Sequence, residues 1–100
     1  MSDPRSIDCE VWARREVTRL RGKGTVQLLE IRPKPPGRVL GGFRLASGQM
    51  YWPQPAWHYH FAVFALGLVR DELYPSGLPM TAYQQRFEHQ SGIDFKLKTP

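Results

Sequence analysis

The sequence holds a single cysteine, Cys9, which excludes an intrachain disulfide and a zinc site built on cysteines. It lacks any apolar run of bilayer-spanning length, so no transmembrane helix is expected. The opening MSDPRSIDCE carries no apolar signal region. As given, the chain is expected to stay in a cytosol unless it is the tail of a longer exported polypeptide. There is no internal repeat and no low-complexity segment. Acidic residues are few, 9 against 14 Lys and Arg, for a net charge of +5. Five of the basic residues, Arg14, Arg15, Arg19, Arg21 and Lys23, fall within ten positions. No aromatics interleave with them and no nucleic-acid module is visible, so they read as a solvated helix face and nucleic acid is not an expected partner.

What is present suits one compact core. Of 100 residues 41% are hydrophobic and 12% aromatic, enough for one domain spanning residues 1–100. Ile7 to Leu20 reads as a helix, with Asp8 as N-cap and Ile7 and Trp12 placed as a hydrophobic staple. Cys9, Ala13, Val17 and Leu20 share one helical face, and Gly22 and Gly24 end the helix. Thr25 to Ile31 reads as a strand and Arg32 to Arg38, with three prolines, as a loop. Val39 to Leu45 reads as a short strand broken by Gly41-Gly42. Ala46 to Trp57 is irregular, and its Tyr51, Trp52 and Trp57 either line a groove or cover the core.

His58 to Ala65 (HYHFAVFA) is apolar on both faces, as a central strand should be. Leu66-Gly67 is a turn and Leu68 to Glu72 the returning strand. Tyr74 to Pro79 reads as a rigid turn, Met80 to His89 as a second helix, and Ile93 to Lys98 as a half-exposed edge strand. The order predicts an α+β fold: an antiparallel sheet packed against a leading helix.

Three residues suggest chemistry. A cysteine in the first turn of a helix feels the positive end of the helix dipole, and free backbone N–H groups there favour the thiolate and can hold an oxyanion. Asp8 opposes this, so a cationic partner is required. His58 and His60 alternate onto one strand face. A two-residue turn at Leu66-Gly67 puts Asp71 opposite Ala62 and diagonal to His60, within side-chain reach; a three-residue turn changes the parity. The roles are then thiolate attack by Cys9, proton transfer by His60 and tautomer control by Asp71. The competing readings are a cysteine packed as a small hydrophobe, a strand histidine of the core or surface, and an aspartate supplying hairpin-end polarity.

Three segments also carry a resemblance: Asp8-Cys9 opening a basic helix that leads through glycines to GKGTVQLLEI, Gly41-Gly42 ahead of HFAVF, and RDELYPSGLPMTAYQQRFE. Over roughly residues 7 to 90 the chain resembles the papain-fold toxin domains at the C-terminal ends of bacterial polymorphic toxins. HFAVF followed by Asp71 is also similar to the peptidase domains that remove double-glycine leaders in bacteriocin exporters. The resemblance implies a minimal papain-like fold and a catalytic set of Cys9, His60 and Asp71, with no cofactor and no metal. His60 is favoured over His58 because the resembling motif puts the histidine eleven residues before the aspartate. It further implies an antibacterial effector delivered to a competitor's cytoplasm. There it would act as a cysteine protease on a target protein, and a cognate immunity protein would block its cleft in the producer. Residues 1 to 8 hold no oxyanion-type glutamine, MYWPQPAW lengthens the loop before the histidine, and Glu72 stands where the family often has Asn.

Glutamine deamidation or transamidation uses the same triad. Two other classes remain in view. One is a nuclease toxin built on His58, His60, Asp71 and His89, since His-x-His on a strand can ligate a metal. The other is a non-enzymatic binding module in which Cys9 is simply packed.

Overall fold

The computed structural model of the chain describes residues 5–53 and 56–99, with side chains described from Cys9 onward. The leading helix, α1, runs Arg5–Leu20. Its stripe of Cys9, Ala13, Val17 and Leu20 is buried, as the spacing predicts. It ends on a turn where Lys23 N–H donates to Leu20 O and Gly22 takes a positive φ. The helix starts two residues before the predicted Ile7, so Asp8 lies inside it rather than at its cap. The side chains of Asp8 and Ile7, and with them the predicted cap bond and staple, lie outside the described residues.

Five strands form the main sheet: β1 (Val26–Pro33), β4 (His60–Ala65), β5 (Leu68–Asp71), β6 (Tyr74–Leu78) and β7 (Ile93–Lys98). Their order is β6-β5-β4-β1-β7, and every pairing is antiparallel. β4 is central and β7 is an edge, in line with their patterns. Two short strands, β2 (Phe43–Arg44) and β3 (Met50–Tyr51), pair separately. A short helix, α2 (Met80–Gln84), follows β6. The chain is therefore an α+β fold with an N-terminal helix on a small antiparallel sheet.

Four predicted elements change, the first being the segment Ala46 to Trp57, read as irregular, in which Met50–Tyr51 pairs with Phe43–Arg44. Tyr74 to Leu78 is a strand, not a rigid turn. Asp71 Oδ1 accepts from Leu73 N–H at 2.9 Å and Tyr74 N–H at 2.8 Å, which reverses the chain at Glu72-Leu73. The segment YPSGL then runs back as an outer strand, where a proline is tolerated. The second helix stops at Gln84 instead of His89, and Phe87 forms a bridge to Phe43. Only Phe43–Arg44 of the predicted Val39 to Leu45 strand pairs. Gly41 and Gly42 sit in close contacts: an added Cβ would come within 2.7 Å of His89 and 2.8 Å of Met50, respectively.

The sheet has two faces of different character. Leu28, Phe61, Val63 and Ala65 pack with α1. Leu29, Ile31, Ala62 and Val69 point the other way, into an aromatic core of Phe43, Trp57, Tyr74, Tyr83 and Phe87. The alternation along β1 and β4 is the period-two pattern of a strand covered on both sides.

Candidate active site

His60 opens β4 and faces the aromatic core, on the side of Ala62. Its partner strand is reached through a two-residue turn. Ala65 pairs with Leu68, and Leu66 and Gly67 both take positive φ, 56° and 80°. This is the turn length that sets Asp71 diagonal to His60. His60 Nε2–H donates to Asp71 Oδ2 at 2.9 Å, and both side chains are fully buried.

Cys9 comes from the opposite face of the sheet. The β4–β5 ladder ends at the pair Val63–Arg70, and beyond it Phe61 N–H donates to Cys9 Sγ at 3.4 Å. The thiol of α1 thus meets the backbone of β4 where β5 leaves it. The Cys9 thiol also acts on the His60 imidazole, favouring its protonated form. Nε2 is committed to Asp71, so Nδ1 is the ring nitrogen left for the thiol. Among the described residues Nδ1 is buried and has no hydrogen-bond partner.

The structure therefore brings together Cys9, His60 and Asp71, which lie 51 and 11 positions apart in the chain. It corrects how the thiol is served. Cys9 stands in the second turn of α1, where its own N–H belongs to the i→i−4 ladder. The described donor to sulfur is the strand N–H of Phe61, not a free N–H of the helix end.

Electrostatics follow from burial and pairing. Burial pushes the His60 pKa down, but the hydrogen bond and charge of Asp71, helped by the neighbouring Cys9 thiol, outweigh it and raise it to about 9. Burial pushes Asp71 up, yet bonds from His60, Tyr83 and Tyr74 hold it below its ordinary value. The pair is accordingly an imidazolium and a carboxylate near neutral pH.

Two residues of the site carry no clear sequence signal. Trp57 is 1% exposed and its indole stacks on the His60 ring, centroids 4.1 Å apart and planes 14° apart. A cation over an indole face is stabilised by the ring quadrupole, by about 0.5–2 kcal/mol. Tyr83 is buried and its hydroxyl donates to Asp71 Oδ2 at 2.5 Å. In sequence Tyr83 and Phe87 look like any aromatic pair four apart on a core-facing helix. Tyr51 and Trp57 also line a recess of about 240 Å³ with Leu45, Glu72 and Leu73, while Trp52 is exposed.

The histidines of the nuclease reading are not gathered. His58 precedes β4, is exposed, and donates from Nδ1 to Arg38 O at 3.1 Å, so it does not share the face of His60. His89 pairs with Glu88. Among the described residues no group of three or more His, Cys, Asp or Glu is placed to hold a metal ion. No described helix is long and apolar enough to cross a membrane.

Comparison with known proteins finds no matching family model, curated protein or solved structure.

Proposed function

We propose that the chain is a papain-like cysteine hydrolase acting by acyl transfer at an amide, with Cys9 as nucleophile, His60 as acid and base, and Asp71 as the residue that orients His60. The observation that carries this is the meeting of the three side chains: the Cys9 thiol beside an imidazole whose Nε2 is bonded to a buried carboxylate at 2.9 Å. The Cys9 thiolate attacks the carbonyl carbon and a C–S bond forms. The imidazolium of His60 gives its proton to the departing nitrogen as the C–N bond breaks. Water, deprotonated by His60, then cleaves the thioester and frees the thiol. Asp71 keeps its charge throughout and holds the ring in place.

The thiol is 1% exposed, so a substrate reaches it only when the groups above it move aside. That burial also favours the second reading, a non-enzymatic module in which Cys9 packs with Ala13 and Val17. The resemblance to papain-fold toxin domains supports proteolysis of a target protein in a competitor's cytoplasm, with an immunity protein as partner. Deamidation of glutamine needs the same three residues, with ammonia as the leaving group.

The test is mass spectrometry of a bacterial proteome after cytosolic expression of the wild type and of Cys9→Ala. New chain termini in the wild type alone support a protease. One-dalton shifts at glutamine in the wild type alone support a deamidase. Identical proteomes leave the non-enzymatic module as the better reading.

A further inference from the structure

We propose, on the reading of Cys9 and His60 as the reacting pair, that Tyr83 is a positioning residue that weakens the hold of Asp71 on His60 by competing for the same oxygen, Oδ2. Asp71 accepts four hydrogen bonds. Its Oδ1 takes the backbone N–H groups of Leu73 and Tyr74, which the β5–β6 turn fixes in place. Its Oδ2 takes the Tyr83 hydroxyl at 2.5 Å and His60 Nε2 at 2.9 Å. The carboxylate cannot swing away from either claim on Oδ2, because Oδ1 is anchored by main chain.

Tyr83 is equally fixed. Its N–H donates to Pro79 O, and its ring packs on Phe43 and Phe87. Burial and the Asp71 carboxylate push the phenol well above its usual pKa, so it remains a proton donor. A hydroxyl bonded to Oδ2 spreads that oxygen's charge and makes it a poorer acceptor for the imidazolium. This matters for the reaction, since His60 must release a proton to the leaving nitrogen. An imidazolium gripped by an undiluted buried carboxylate is a weak acid, and general acids work best with a pKa near the ambient pH.

The groups that face His60 are few. Asp71 reaches it from β5 and Cys9 from α1, Tyr83 acts through Asp71 from α2, and Trp57 and Phe87 are apolar neighbours. Glu72 acts by charge on Tyr83. Asp71 and Cys9 are the ionisable groups that act on His60 most strongly, so removal of one hydroxyl from Asp71 should register in its titration.

The experiment is an NMR titration of the His60 ring in the full chain, its signals assigned by their loss in His60→Gln. The wild type is compared with Tyr83→Phe and with Tyr83→3-fluorotyrosine, whose hydroxyl is the stronger donor. Tyr83→Phe should raise the His60 midpoint by about half to one pH unit, the size of one ordinary hydrogen bond. The fluorinated ring should lower it. A midpoint unmoved or lowered in Tyr83→Phe, or two variants shifting in the same direction, overturns the proposal. If Tyr83→Phe does not fold, the fluorinated variant decides alone: a lowered midpoint supports the proposal and an unmoved one overturns it. The result is separable from the hydrolase reading. Bacterial toxicity that survives in Cys9→Ala sinks that reading whatever the titration shows, while loss of toxicity with an unmoved midpoint sinks only the role of Tyr83.

Discussion

The two faces of the sheet are built from different materials. On the α1 side, Ala13, Val17, Leu20, Leu28, Val63 and Ala65 form an apolar cluster with the Cys9 thiol at one end, and the buried Glu16 of α1 is paired with the exposed Arg19. On the other side, the aromatic core encloses His60 and Asp71, both 0% exposed, and the Tyr83 hydroxyl. Burying apolar surface stabilises the fold with little demand on geometry. Burying an imidazolium and a carboxylate costs desolvation that pairing only partly offsets, and replacing such a pair with apolar residues is often neutral or stabilising. The molecule trades stability for a polar arrangement on the aromatic side, and Cys9 is the point where the two faces touch.

The largest effect is expected at His60. His60→Ala should remove activity almost entirely, while His58→Ala retains it, because His58 is exposed and bonds only the Arg38 carbonyl among the contacts seen. Toxicity of the two variants in a bacterial host checks this, and the reverse result moves the base to His58.

Asp71→Asn is the next effect in size. The amide oxygen still accepts from Nε2 and preserves orientation, but the charge is gone. A loss of about ten- to a thousandfold in activity is expected. The same variant tests the electrostatics. His60 titrates at about 9 when folded against 6.5 ordinarily. Its contribution to stability is therefore fully present below pH 6.5 and is lost as the pH rises to about 9. Asp71 is depressed, so its contribution is present above its ordinary 3.8 and is lost as the pH falls through its lower folded value. Urea midpoints across pH should fall on both sides for the wild type. In Asp71→Asn the alkaline decline should flatten, and an unchanged profile would show that the pair is not charged.

The smallest effect on activity is expected on the α1 face. Leu20→Ala empties a fully apolar site and should cost about 2–5 kcal/mol of stability. Activity per folded molecule should stay as in the wild type, measured on samples normalised by circular dichroism. A selective loss of activity with no loss of stability would mean that the α1 face is not merely supportive.

Much of this was legible in sequence because it rests on short-range periodicity. The stripe from Cys9 to Leu20, the doubly apolar HFAVFA and the alternating IDFKLK each state their surroundings directly. The His60–Asp71 relation was legible because a two-residue turn fixes strand parity, and Leu66-Gly67 makes that turn. Other features depend on contacts that local pattern does not encode. YPSGL looks like a turn because Pro75 and Gly77 are turn formers, but the Asp71 side chain completes the reversal earlier and frees the segment to pair. Asp8 is a plausible cap in sequence, yet the helix continues through it. Tyr83 and Trp57 are indistinguishable from core aromatics until the fold sets one on Asp71 and the other on His60.

Cys9→Ala tests most directly whether the buried cluster reacts or only packs. Toxicity of cytosolic expression and thermal unfolding are measured on the same variant. A reacting thiol predicts that toxicity disappears while stability changes by about 1 kcal/mol or less, the scale of one small buried apolar group. A folded Cys9→Ala protein with full toxicity would contradict it and leave Cys9 as a packed side chain of the α1 face.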